Sequence, residues 1–169
     1  MGSALAEKTV DEDVMGVEED TLKGRFLTFR LANEDYGFEI RYVTEIIGIQ
    51  KITDVPDLPR FVKGVINLRG KVIPVMDVRI RFNLPEREYD ERTCIVVVNV
   101  EDKAVGLVVD KVNEVASIPE DQIEPAPHTG KGGPSYIQGI GKAGGEVKIL
   151  LDVRRLLYED AAEHAQAAD

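Results

Sequence analysis

Cysteine is nearly missing from this sequence: Cys94 is the only one, so no internal disulfide can staple the fold, and the pattern suits a reducing compartment. Histidine is almost as scarce, with His128 and His164 the only two and neither near a Cys or His at ligand spacing, so no metal site and no cofactor are expected. Serines stand only at Ser3, Ser117 and Ser135, none inside GxSxG, which removes the serine-hydrolase reading. No apolar run approaches the roughly 18 residues that would cross a bilayer. The opening residues lack the basic start and long apolar core of a signal peptide, and a cytoplasmic protein is expected. Cations are outnumbered, 21 Lys and Arg against 31 Asp and Glu, for a net charge of −10. Nucleic acid and anionic membrane both need a basic face, so neither is an expected partner.

Glycine-rich phrases are present, but in the wrong company. Gly139-Ile-Gly141-Lys-Ala-Gly144 satisfies GxGxxG, a fingerprint with mechanical meaning only when it follows a strand and opens a helix. Here Glu146 to Leu151 reads as strand, which makes the motif part of a hairpin. A small-ligand- or nucleotide-binding double barrel using the Gly139 to Gly144 loop is carried as the alternative function. Gly130-Lys-Gly-Gly-Pro134 lacks the earlier glycine and the following Ser or Thr of a P-loop.

What the sequence does have is a repeat. VKGVINLRGKVIPVMDVR (Val62 to Arg79) lies on IQGIGKAGGEVKILLDVR (Ile137 to Arg154) at an offset of 75 residues, matching Gly64 with Gly139, Gly70 with Gly145, and Asp77-Val-Arg with Asp152-Val-Arg. Upstream, FLTFRLANEDYGFEIRYVTEII (from Phe26) lies on IVVVNVEDKAVGLVVDKVNEVA (from Ile95) at an offset of 69 residues, matching Gly37 with Gly106, Val43 with Val112 and Glu45 with Glu114. Each copy is too short for a sturdy core of its own, so the copies are expected to stabilise each other across a real interface.

Strand signals dominate. Phe26 to Leu31 and Tyr36 to Ile40 flank a polar turn at Ala32 to Asp35, and Ile95 to Val100 and Val105 to Val109 flank another at Glu101 to Lys103. The run Leu107-Val108-Val109 implies burial on both faces. Further hairpins turn at Arg69-Gly70 and Gly144-Gly145, where glycine supplies positive φ. Asp77 and Asp152 can each cap a helical turn, the second leading into a terminal helix whose Val153, Leu156 and Leu157 share one face. About five short strands in about sixty residues, given twice, reads as two small barrels. The expected layout is an acidic, disordered tail over 1–23, a first barrel over 24–83, a second barrel with the start of the helix over 84–158 and a tail over 159–169, with strands free to exchange between barrels.

The copies differ at one hairpin tip: Asn67-Leu68-Arg69 in the first, Lys142-Ala143-Gly144 in the second. A scaffold that manages without the arginine in one copy suggests a binding or docking role for Arg69 in the other. Glu45 is the carboxylate that could hold it in a bidentate pair.

FLTFRLANEDYGFEIRYVTEI, VKGVINLRGKVIPVMDVRIRF and AVGLVVDKVNEV together resemble the CheW family of bacterial chemotaxis coupling proteins, a likeness covering roughly residues 25–158. The resemblance implies an all-β fold of two SH3-like five-stranded barrel subdomains with a short C-terminal helix. It implies a non-enzymatic adaptor that couples chemoreceptor cytoplasmic tips to the histidine kinase CheA, through the regulatory domain of that kinase, and is recruited to membrane receptor arrays. It also implies receptor contacts at Val43, Glu45, Lys63, Gly64, Arg69 and Val115, and kinase contacts at Ile49, Gln50, Lys51, Ile73 and Pro74.

Overall fold

Wherever β-branched and aromatic residues run together, the chain is extended. In the computed structural model, which describes residues 22–126 and 136–158, the first hairpin is β1 (Arg25–Leu31) and β2 (Glu34–Glu39), followed after one 3-10 turn by β3 (Val43–Gly48). A long connection leads to the hairpin β4 (Val62–Leu68) and β5 (Lys71–Asp77) and the helix α1 (Val78–Arg81). The second copy repeats the order: β6 (Cys94–Val100), β7 (Lys103–Val109), β8 (Lys111–Ser117), a two-residue β9 (Ile123–Glu124), β10 (Ile137–Ala143), β11 (Glu146–Leu151) and the helix α2 (Val153–Leu157). The fold is all-β, two SH3-like subdomains with two short helices among the described residues. The expected acidic tail up to Thr21, the Gly130 to Pro134 loop, both histidines and the tail from 159 lie outside the described residues.

Sheet membership does not follow the copies. One sheet runs β8-β1-β2-β11-β10-β9 and the other β3-β6-β7-β5-β4, so each takes its first hairpin from one copy and its remaining strands from the other. The sequence divide near Asn83 therefore separates the copies and not the sheets. The two orders match strand for strand under the repeat. Even the sixth strand has a counterpart: Glu124 of β9 opposes Ile140, and Thr53, as an isolated bridge, opposes Val65.

Burial ties the two copies together. Phe26, Ala116, Ile118 and Leu150 make one small cluster, and Ile66, Ile73, Val75, Ile95, Val97 and Val108 make another, each from the strands of a single sheet plus its flanking connection. The largest cluster joins the sheets, with Leu27, Phe29, Leu31 and Phe38 of one packed in the same body as Val96, Val98, Val100 and Leu107 of the other. Apolar area buried there is lost to both sheets at once if they part. The helices seal it. Asp77 accepts from the backbone N–H of Arg79 at 2.9 Å and Asp152 from that of Arg155 at 3.1 Å, and these caps point Val78 and Val153 inward. The segment between the copies is pinned by the Tyr89 hydroxyl, which donates to Asp77 Oδ2 at 2.7 Å.

One local expectation is corrected. The first turn is only Ala32-Asn33, because Leu31 already pairs with Glu34 and Asp35 is a buried strand residue. Asp35 tolerates that place because Lys148 and Arg30 neutralise it at 2.8 and 3.0 Å. The third strand of each copy, β3 and β8, gives no clear strand signal in sequence, since polar residues interrupt its apolar ones.

Candidate partner-docking site

The hairpin between β4 and β5 closes with Leu68 opposite Lys71, leaving Arg69 and Gly70 as a two-residue turn with φ of +53° and +84°. Such a turn matches the right-handed twist of its strands but asks both residues for positive φ. Its counterpart in the second copy is Gly144-Gly145, at +60° and +79°. The backbone is thus the same in both copies, and the first spends a left-handed position on arginine where glycine is unstrained. Asn67 makes this possible: its Oδ1 accepts from the Gly70 N–H at 2.8 Å, and its carbonyl accepts from Gln50 Nε2 at 3.2 Å.

The turn aims the guanidinium at β3. Arg69 Nη1 donates to Glu45 Oε2 at 2.7 Å and Nη2 to Oε1 at 2.6 Å, a bidentate pair. In the sheet order β3 and β4 are opposite edges, roughly 19 Å apart if five strands lay flat at about 4.8 Å spacing. Their contact shows the sheet curled into a barrel, and the pair lies across its seam. Hydrogen bonding and the charge of Arg69 hold the Glu45 carboxyl below its ordinary range, so both groups are ionised at neutral pH. Arg69 is 72% exposed and Glu45 26%, so the pair contributes little to stability and displays a fixed arrangement of charge instead. Glu114 repeats Glu45, but glycine stands at the position that repeats Arg69.

A CheW-like domain family model matches residues 25–161. The chain belongs to the CheW-like family. Relatives include the chemotaxis protein CheW of Klebsiella aerogenes, 40% identical over 142 residues that cover 83% of this chain and 86% of the relative. The CheW of Bacillus subtilis is 34% identical over 142 residues, 83% of this chain and 91% of that one. Among solved structures, the scaffolding protein CheW of Thermoanaerobacter tengcongensis superposes with a TM-score of 0.71 at 37% identity, covering 76% of this chain and 88% of that chain. The family is one of chemotaxis scaffolds and not of enzymes, which places this chain among adaptors.

Within this CheW-like frame the anticipated contact residues part company. Glu45 and Arg69 meet directly. Lys63, on β4, pairs with Glu86 at 3.6 Å. Val43 is half-buried against the central core. Gly64 is buried: a Cβ built there would stand 2.0 Å from the Thr53 carbonyl oxygen, so its role is to let the closing segment cross β4. Val115 is exposed, but on β8 in the other sheet.

Of the residues expected at the kinase, Ile49 is half-buried on the core of the five-stranded sheet, while Gln50 and Lys51 are exposed. Ile73 points inward and is only 4% exposed, so it is a core residue and not a contact; the outward face of that strand belongs to Val72 and Pro74. The Gly139 to Gly144 phrase forms β10 and the start of a hairpin turn, with no helix following, so its geometry is not that of a phosphate-binding loop. Asn67 and Gln50 as supports of Arg69 were missed; an asparagine three residues before a turn glycine was the available signal.

Proposed function

We propose that this chain is a non-enzymatic adaptor that couples the cytoplasmic tips of chemoreceptors to the histidine kinase CheA, working in the cytoplasm and recruited to membrane arrays by the receptors it holds. The observation that carries the reading is the Glu45–Arg69 pair, built on a strained turn in one copy and left out of the other. Structure that serves only the fold would be written the same way twice. A fixed charge pair on an exposed seam sets register and rejects mismatched partners, which is the task of a receptor-facing surface. Val43, Lys63 and Gly64 lie on the two strands, β3 and β4, that the pair joins, and Val115 lies on β8 in the other sheet. The kinase regulatory domain is assigned to the opposite flank of the hairpin, where Val72 is 68% exposed and Pro74 is exposed beside it; of the expected Ile49 to Lys51 contact, Gln50 instead bonds to Asn67 on the β4 side.

The test is a pair of calorimetric titrations, one with a soluble receptor cytoplasmic fragment and one with the kinase regulatory domain. Arg69→Ala is expected to weaken receptor binding about tenfold or more and to leave kinase binding unchanged. Loss of both from a folded variant, or of neither, overturns the assignment. Nucleotide binding measured by thermal shift would favour the alternative small-ligand reading.

A further inference from the structure

The strands that carry Glu45 and Arg69, β3 and β4, are the two edges of the five-stranded sheet and share no ladder. A bidentate pair needs its groups held at a fixed spacing, so something other than strand pairing must set that spacing across the seam. The second copy closes its equivalent seam with backbone, where Ile123 and Glu124 of β9 pair with Gly141 and Ile140. The first copy uses a side chain instead. Thr53 makes an isolated bridge to Val65, and Gln50 Nε2 donates to the Asn67 carbonyl at 3.2 Å.

Asn67 is held at both ends. Its carbonyl takes the bond from Gln50, in the segment that leaves β3, and its Oδ1 takes the Gly70 N–H at 2.8 Å. Glu45 and Arg69 are thereby joined by a path that runs along β3 to Gln50, across to Asn67 and into the turn, without passing through their own contact. The second copy lacks every part of this path. The 69-residue offset sets Gln50 on Pro119, which has no side-chain donor, and the 75-residue offset sets Asn67 on Lys142, which has no side-chain acceptor, and Arg69 on Gly144. Ile49 and Ile118, also related by the first offset, pack in the corresponding single-sheet clusters, so the register holds to this point. The copy without the arginine is thus also without its supports. A turn of two glycines needs neither of them.

We infer that Gln50 and Asn67 are positioning residues of the receptor-facing site, acting through Arg69, and that Gln50 takes no part in holding the kinase. This rests on the adaptor reading above. Arg69 is 72% exposed, and a long side chain in water on an unsupported turn would have many arrangements to lose when a partner docks. Fixing the turn and its distance from β3 beforehand removes part of that cost.

Both side chains are exposed, so Gln50→Ala and Asn67→Ala are expected to fold with a Tm close to that of the wild type. In calorimetric titrations each is expected to weaken binding of a receptor cytoplasmic fragment roughly three- to tenfold, as loss of one hydrogen bond would, and to leave binding of the kinase regulatory domain unchanged. In an Arg69→Gly background neither is expected to weaken receptor binding further. Weaker kinase binding by Gln50→Ala, or an equal loss of receptor binding with and without Arg69, overturns the inference. A second measurement needs no partner. Hydrogen bonding and charge from Arg69 hold the Glu45 carboxyl below its ordinary range, and an NMR titration of Glu45 is expected to move up toward that range in both variants. A Glu45 carboxyl that titrates in both variants as it does in the wild type overturns the positioning role. No receptor binding by the wild type overturns the adaptor reading itself, and the Glu45 titration then decides by itself whether Gln50 and Asn67 position Arg69.

Discussion

Replacing Gly64 with alanine tests whether the seam of the five-stranded sheet closes as described. Thr53 crosses β4 there, donating its N–H to the Val65 carbonyl at 2.8 Å and accepting from the Val65 N–H at 2.9 Å. An added Cβ would sit 2.0 Å from the Thr53 oxygen, a backbone atom that can yield only by moving the whole segment. Both hydrogen bonds would then be lost, at about 1 kcal/mol each. The residue's φ of +153° adds strain for any side chain, on the order of 1 kcal/mol. The sum is about 3 kcal/mol, which for a domain of this size lowers Tm by roughly 6–12 °C. Gly48→Ala is the control, because a Cβ there meets nothing within 4 Å. Gly139→Ala repeats the perturbation in the second copy, 2.7 Å from the Glu124 carbonyl oxygen. Thermal melts by circular dichroism read all three. A Gly64→Ala protein melting within about 2 °C of wild type would refute the closure argument and return Gly64 to the role of a direct partner contact.

Arg69→Gly converts the tip to the glycine turn of the second copy; Tm is expected to hold or rise, because positive φ is unstrained for glycine, while receptor binding falls, and a clear loss of Tm would contradict the strained-turn account. Acid should expose the Asp35 cluster. Burial alone would raise the Asp35 carboxyl, but hydrogen bonds from Arg30 and Lys148 outweigh it and hold the group at about 2. A depressed folded-state pKa contributes stability above the unfolded value near 3.8 that is lost as pH falls toward 2, so denaturant melts between those pH values should weaken more for wild type than for Asp35→Ala with Lys148→Ile. Parallel pH dependence in the two proteins would sink this. Phe29→Ala removes a ring 4.6 Å from that of Phe38 inside the cluster that joins the sheets. It should cost about 3–5 kcal/mol and preserve a single transition; two separated transitions would mean the sheets do not share a core.

The duplication, the strand-rich fold and the Glu45–Arg69 pair were legible because each is written in local spacing or in a difference between two aligned phrases. Strand exchange was not. A hairpin such as Phe26 to Glu39 has the same alternation whichever neighbours it finds, and what decides is the match of Phe29 and Phe38 to residues of the second copy such as Val98 and Leu107. Asp35 looked like a turn residue because its neutralising lysine stands 113 residues later. Ile73 looked like a surface candidate because an Ile-Pro-Val run carries no sign of which face points in; its place among Ile66, Val75 and Ile95 settles that.

A duplicated scaffold begins with two equivalent ends, and an adaptor with equivalent ends cannot hold different partners in a fixed order. The differences between the copies fall where they break that equivalence at small cost to the fold. Arg69 stands where the second copy has a turn glycine, with the turn unaltered, and a glutamate stands at the position of Glu45 in both copies. Lys148 and Asp35 stand where the other copy has Ile73 and Ala104, and they pair, so that neither charge is buried alone. Pro74 in place of Ile149 ends one parallel ladder a residue early. Each is a change to a tip or a sheet end, away from the cluster that joins the sheets, so recognition could diverge between the two ends while the shared core stayed the same.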